Sequence, residues 1–199
     1  MATILQQPDG NISFDILLNG TKIKDAIEVQ EIWIEMEVNR IASARVVIQD
    51  GGAIGVESAP FENSEGSDFV PGTEIEIKLG YEDERESVFK GIIVTQRLTV
   101  KSGNSSLEIM CKDKAVNLTK GRFNAIFQDQ KDSDAITSII GNYGLASTVD
   151  ATTVTHPLIM QYNCSDWDFI VIRAEMNNMS VLTYRNEITI RTRRFLKLN

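Results

Sequence analysis

Of the side chains able to do chemistry, the carboxylates are the most numerous and the most regularly placed. Glu35 with Glu37, and Glu74 with Glu76, stand two apart inside alternating apolar runs, which puts each pair on one face of a strand. Paired carboxylates can divide acid and base roles in glycoside hydrolysis. The same spacing belongs to any strand with a solvent face, so it marks no reaction by itself. His156 is the only histidine among 199 residues and stands before Pro157, with no partnered cysteine and no HExxH-type neighbour. It reads as a structural or surface residue rather than a metal ligand or half of a Ser-His or Cys-His pair. Cys111 and Cys164 lie far apart in apolar patterns without cationic company, the setting of two reduced, buried thiols rather than a bridge or a reactive thiolate. Gly51-Gly52 and Gly55 invite a phosphate-loop reading, but no Lys-Ser/Thr follows and the surrounding acid repels phosphate. No catalytic, cofactor-binding or metal-binding constellation emerges, and the chain reads as a non-enzyme that needs no cofactor.

Composition narrows the field further. A chain that is 42% hydrophobic and 24% charged can build a sizeable core, as one large domain or two small ones. No run approaches the roughly 18 to 20 apolar residues of a membrane span, and MATILQQPDG lacks the basic start and apolar stretch of a signal peptide. Cytoplasmic residence after synthesis is the expectation. The net charge of -8 gathers acid between Glu28 and Glu86, whereas Arg185, Arg191, Arg193, Arg194 and Lys197 crowd the end. Nucleic acid is therefore not the expected partner, since tracking phosphates needs a basic stripe on a folded face.

The elements that would hold these residues are mostly strands. Ile12 to Leu18 alternate and lead into Asn19-Gly20, a type I′ hairpin signal, before Thr21 to Lys24. Ile32 to Val38 and Ala42 to Ile48 form a second antiparallel pair turned at Asn39-Arg40. Residues 50–72, rich in Gly, Ser, Pro and acid with isolated anchors such as Phe61 and Phe69, read as a long loop. Ile75 to Tyr81, an acidic EDERE turn, Val88 to Val100, a turn at Ser102-Gly103-Asn104, and Leu107 to Cys111 continue the sheet. Strands with one apolar face suggest a curled sheet or small barrel.

Beyond Lys112 the alternation decays. Asp132 or Ser133 is expected to cap a helix carrying Ile136, Ile139, Ile140 and Tyr143 and ending at Gly144, followed by loop and strand over Val149 to Met160. The stretch QYNCSDWDFIVIRAEMNNMS then reads as a capped helix, with Ser165 at N-cap and Asp168 at N3. Its apolar residues, Ile172 and Met176 included, cover so much of the circumference that contacts on two sides are expected. Asn177 and Asn178 suit the helix stop, and Val181 to Tyr184 with Glu187 to Ile190 form a hairpin turned at Arg185-Asn186. The layout is mainly β with α additions, a β-domain over 1–125 and a smaller α+β segment over 126–199.

The succession VPGTEIEIKLGY, VFKGIIVTQRLTV, SSLEIMCKDKAVNLTKGR, KDSDAITSIIGNYGL and HPLIMQYNCSDWDFIVIRAEMNNMSVL resembles the N-terminal hub region of VgrG-type spike proteins of type VI secretion and related contractile injection systems. The most specific pieces are FKGIIV at Phe89 to Val94 and the Gln161, Asp166, Trp167, Phe169, Glu175 pattern. The resemblance implies a phage-tail hub fold, with a β-barrel-like tube domain followed by the start of the rest of the hub. It implies three chains closing a ring that caps a hexameric inner-tube protein, with baseplate proteins and a spike portion of the same or another chain as further partners. Export would follow when the assembled particle fires. Glu35, Glu37, Glu74 and Glu76 become candidate interface or lumen residues, and the long loop over 50–72 a contact with baseplate or tube. Family members continue into a collar and needle, whereas this sequence ends at Asn199, which suggests a fragment or a truncated product. Two other readings compete with the hub. One is a free-standing β-rich module for carbohydrate or peptide, using Trp33, Tyr81 and Tyr162, although the core is the expected place for these aromatics. The other is a cell-wall hydrolase, which would need cooperating carboxylates.

Overall fold

Alternation becomes sheet throughout the first half of the chain. The computed structural model describes residues 12–51, 61–81, 84–101 and 105–193. Seven strands come first: β1 (Ile12–Leu18), β2 (Thr21–Lys22), β3 (Val29–Glu35), β4 (Ser43–Gln49), β5 (Glu74–Tyr81), β6 (Glu84–Thr99) and β7 (Ser106–Lys112). They form one antiparallel sheet in the order β2-β1-β5-β6-β7-β4-β3. Asn19 (φ 48°) and Gly20 (φ 83°) turn β1 into β2 in the left-handed conformation that the Asn-Gly pair favours.

Register sorts the residues into two faces. Ile16 lies opposite Ile77 and Ile77 opposite Phe89, while Ile93, Cys111, Ala44 and Ile34 make a second inward row. These rows line the first core, which Phe69 completes from the segment before β5, with 1% of its surface exposed. The long segment expected as loop is thus tied down at its described end. Asp50 accepts from the amides of Asn63 and Ser64 at 3.0 and 2.9 Å, holding the single turn α1 (Glu62–Glu65). Gly52 and Gly55 lie outside the described residues, as does the turn expected at Ser102-Gly103-Asn104.

Closure is where the sheet departs from the barrel-like expectation. β2 and β3 stand at opposite ends and no pairing joins them among the described residues, so the sheet is open. Register shifts at Val29/Glu31, Ile77/Lys78 and Ile93/Thr95 are the irregularities that increase local twist.

The second half mixes both element types. A 3-10 turn (Lys114–Thr119) leads to β8 (Phe123–Lys131), α2 (Asp132–Gly141), β9 (Ala146–Val149), β10 (Thr155–Cys164), α3 (Asp166–Met176), β11 (Met179–Tyr184) and β12 (Glu187–Thr192). β8 and β10 pair as an antiparallel ribbon, and β11, β12 and β9 form a three-stranded sheet with β9 parallel to β12. Ile136, Ile140, Trp167, Ile170, Val181, Ile188 and Ile190 make its own core, to which the 3-10 turn adds Ala115 and Leu118. Phe127 of β8 stacks on Phe169 of α3 with centroids 5.8 Å apart.

The capping expectation for α3 holds: Ser165 Oγ accepts from the Asp168 amide at 3.1 Å. Asn178 (φ 56°), not Asn177, takes the left-handed position after it. Its apolar circumference is not buried on two sides, because Ile172 and Met176 are exposed. Asp132 is not a cap either. Lys131 holds that position without a side-chain bond, and the Asp132 carboxylate turns inward. β8 and β9 were not expected at all.

Candidate interface surfaces

Spacing singled out four glutamates, and the sheet gives them different places. Register runs Glu74, Ile92, Lys112, Ser43, Glu35 across five strands, on the face opposite the core row that contains Ile93 and Ala44. Glu74 and Glu35 therefore share the outer face but stand four strand spacings apart, about 19 Å. Glu76 lies beside Glu74 on the same face, opposite Lys90. Glu37 does not join Glu35, because β3 ends at Glu35 and the chain leaves the sheet. Glu37 instead pairs with Arg40 at 2.9 Å within the turn.

Most carboxylates of this face meet a cation, Glu35 excepted. Lys114 Nζ is 2.5 Å from Glu74 and Lys90 Nζ 3.5 Å from Glu76. Arg45 bridges Glu31 and Glu108, and Arg85 and Lys22 share Asp15. Partial desolvation would raise the Glu76 carboxyl, but Ser87, Lys90 and Lys78 around it hold it below the ordinary glutamate value. The Arg85 hydrogen bond likewise keeps Asp15 low. Such paired strands resist the repulsion that unpaired carboxylates would bring. They present no two cooperating acids, and no metal-holding cluster of His, Cys, Asp and Glu occurs among the described residues.

The aromatics expected in the core are instead at the surface. Trp33 is 60% exposed on the outer face, Tyr81 ends β5 in the open, and Tyr162 is exposed on β10. Alternation explains Trp33, which stands between inward-facing Ile32 and Ile34, and Tyr162, which follows buried Gln161; Tyr81 shares the parity of core residues Ile75 and Ile77 and is exposed because it ends the strand. Both thiols are free as expected, but only Cys111 is fully buried; Cys164 is half-buried. Burial pushes the Cys111 thiol up to about 12, which leaves it unreactive.

Sequence reasoning missed the seam between the two halves. The turn between β3 and β4 reaches over to β11, where the Asn39 amide donates to Val181 O at 2.7 Å and Asn39 Oδ1 accepts from Val181 N at 2.9 Å. Asn39 Nδ2 donates to Glu175 at 2.7 Å, and the Ala42 amide donates to Thr183 Oγ1 at 2.7 Å. Asp113, buried after β7, accepts from the amides of Ala115 and Asn186 at 2.9 and 2.8 Å. Desolvation raises its carboxyl pKa despite those two bonds. A polar cavity of about 250 Å³ opens along this seam, lined by Glu35, Glu37, Arg40, Lys112 and Trp167 among others. Asn39 has φ 61°, and an Asn before a predicted turn was the one sequence signal for it.

A second buried network lies behind β10. Asp132 accepts from Arg173 Nε at 2.5 Å and from Asn177 Nδ2 at 2.8 Å, with His156 Nε2 at 3.2 Å. His156 is thus a structural residue clasping β10 to α2. Nearby, Asp166 accepts from Tyr143 at 2.6 Å and from Gln161 at 2.7 Å. Burial and this carboxylate push the Tyr143 hydroxyl up to about 12.

Comparison with known proteins places this geometry. A family model, the Alg8 N-terminal domain, matches residues 8–197. No curated protein matches the sequence. The 43 kDa tail protein of prophage MuSo2 from Shewanella oneidensis superposes with a TM-score of 0.69 at 10% identity, over 90% of this chain and 53% of its own. An Escherichia coli component of the type VI secretion system, described as similar to T4 bacteriophage tail proteins, gives 0.55 at 12% identity, over 87% and 48%. A chain of the Francisella PdpA-VgrG complex gives 0.58 at 14% identity, over 94% and 32%. This chain spans about half the length of the first two and a third of the last. At these identities the likeness is one of fold. The fold is that of phage tail and type VI spike proteins, mostly β with a few helices, as the sequence resemblance implied.

Proposed function

The chain belongs to the Alg8 N-terminal domain family, and from that membership and its fold we propose that it is a structural hub module joining the inner tube to the spike of a contractile injection machine. One observation carries the reading: nine tenths of the chain superposes on a phage tail protein. The sheet supports it, because one face builds the core and the other carries charges that are mostly neutralised by their own neighbours, which suits a wall between packed subunits and water. In this reading three copies form a ring on a hexameric inner-tube protein, with baseplate proteins and a spike portion as neighbours. It is assembled in the cytoplasm and acts without catalysis or cofactor. The face bearing Glu35, Glu74 and Glu76 meets the lumen or an adjoining subunit, with Glu37 at its margin. Residues 1–125 would form the wall unit and 126–199 the adjoining hub segment.

The test is affinity purification of the tagged protein from its own cells, with copy ratios of co-purifying proteins read by mass spectrometry. Tube and baseplate proteins with three copies of this chain per particle are expected. Recovery without them would refute the role. The same preparation from a Glu74→Lys, Glu76→Lys variant should lose tube protein, and full recovery would remove those residues from any interface. A second reading draws on the exposure of Trp33, Tyr81 and Tyr162: a carbohydrate- or peptide-binding module, for which the isolated chain would bind cell-wall glycans in a fluorescence titration.

A further inference from the structure

A cavity of about 350 Å³ opens between the inner face of the β8–β10 ribbon, the end of α2 and the start of α3. Phe123, Phe127 and Ile139 give it apolar walls, and the exposed Asn124 and Asn142 stand at its rim. Tyr143, Gln161 and Asp166 supply the polar floor. Gln161 and Asp166 are 2% and 8% exposed. Both belong to the most specific part of the sequence pattern, yet the hub role makes no use of the space they border.

Every side-chain donor on this floor is already spent. Gln161 Nε2 donates to Asp166 Oδ1 at 2.7 Å and to Cys164 O at 3.4 Å, and the Tyr143 hydroxyl donates to Asp166 Oδ2 at 2.6 Å. Tyr143 keeps that proton, because burial and the carboxylate push it up to about 12. What remains is acceptor capacity. No donor reaches Gln161 Oε1 among the described residues. A carboxylate offers about four lone-pair sites, and the two side-chain donors leave the others of Asp166 open. The start of α3 answers part of the Asp166 charge, but among the described residues no cation lines the cavity. Arg122, beside Phe123 in the chain, is turned instead to Asn163 O at 2.9 Å.

We propose that this cavity receives an arginine side chain of a partner protein. The occupant must bring donors and positive charge and ask for no donor in return. A guanidinium does so, with five N–H groups, no acceptor and a permanent charge. Its planar fork can address Asp166 and Gln161 Oε1 together, while its apolar stem and flat face suit the Phe123 and Phe127 walls. An acidic or phosphorylated group would meet acceptors alone, and an apolar side chain would strip Asp166 of solvent with nothing in exchange. The net charge of -8 steers basic rather than acidic surfaces towards the chain. The cavity lies apart from the sheet face assigned to the hub, and its occupancy holds whether or not that assignment does.

The experiment is a two-dimensional NMR titration of the full, nitrogen-labelled chain with acetyl-Gly-Arg-Gly-amide and with its citrulline counterpart, which keeps the shape and loses the charge. The arginine peptide should shift the Gln161 side-chain amide and the backbone amides of Phe123 and Asn142 saturably, with a Kd in the millimolar range. The citrulline peptide should bind at least tenfold more weakly, as should the arginine peptide to Asp166→Asn. Phe123 is 40% exposed, so Phe123→Ala should keep the parent's melting temperature and weaken binding about threefold. That variant and the citrulline peptide decide the matter if Asp166→Asn fails to fold. A control, Ile126→Ser on the opposite face of the ribbon, should bind like the parent. No saturable shift at these residues, a citrulline peptide that binds as tightly, or a Phe123→Ala that binds like the parent would overturn the proposal. Butylguanidine, which has the same head without a peptide chain, should bind more weakly than the arginine peptide. Tighter binding would make the cavity a small-molecule site and overturn the assignment to a partner protein.

Discussion

Asp132 begins α2, and an acid there would ordinarily face water near the helix dipole. Here it is buried, and Arg173, Asn177 and His156 converge on it. Burial alone would raise its carboxyl, but the Arg173 and Asn177 bonds outweigh it and hold the group below the usual 3.8. A carboxylate with a depressed folded-state pKa adds stability that is fully present above its unfolded value and lost as pH falls through the folded one. Melting temperature should therefore drop steeply below about pH 4 in the parent. In Asp132→Asn the neutral-pH stability should be lower by about 3 kcal/mol, because Arg173 loses its buried counter-charge. The acid part of its pH profile should be flatter, and parallel profiles for the two proteins would show that Asp132 is not the titrating group. The sequence could supply the acid but not its partners, which arrive from 24 to 45 positions away. For the same reason a first-turn cap was the natural reading of this residue.

At the scale of elements, what was legible depended on whether one face of each strand stayed apolar and the other polar. β1 and β4 to β7 announce themselves in this way, and Asn19-Gly20 marks the turn after β1 locally, as Arg185-Asn186 marks the one between β11 and β12. β8 does not. Ala125 and Phe127 face the core while Ile126 between them is also apolar, and Asp129 at φ 49° interrupts the extended backbone, so no period survives in the sequence. Glu37 was misplaced because the strand pattern runs on through Met36 and Val38, whereas docking on β11 pulls the chain off the sheet. The FKGIIV piece of β6 was noticed as a motif, and its physical reason is now visible. A Cβ on Gly91 would stand 2.2 Å from Lys112 O and 2.9 Å from Phe89 Cζ. That carbonyl belongs to the neighbouring strand and cannot swing away as a side-chain tip would. Gly91→Ala should cost about 3 kcal/mol, at the upper end of overpacking effects. Gly72→Ala, where nothing lies within 4 Å, should cost about 1 kcal/mol through its positive φ alone. Urea denaturation of both variants checks the order, and a Gly91→Ala as stable as the parent would mean that the two strands can separate without loss.

For the whole molecule the question is whether two cores unfold as one. The first core draws on residues from Ile16 to Cys111 and the second on residues from Ala115 to Ile190. They meet at a narrow polar seam. Asn39 is its principal clasp, bonding Val181 and Glu175 from a left-handed backbone position that few other residues accept. Asn39→Ala should lower seam stability by about 2 kcal/mol, from two lost hydrogen bonds and the strained φ. Native residues can report each core separately. Cys111 is buried in the first and labels only when the sheet opens; Trp167 is buried in the second. In a Trp33→Phe, Cys164→Ser background, thiol labelling and fluorescence should give one urea midpoint, the mark of a single cooperative transition. Adding Asn39→Ala should split it, because removing the clasp weakens the coupling without touching either core. A single shared midpoint after Asn39→Ala would place the coupling in the buried Ala42–Thr183 and Asp113–Asn186 bonds instead. Cooperative unfolding of both halves would then rest on the Ala42 end of the crossing turn and on the chain that links β7 to the 3-10 turn, rather than on Asn39.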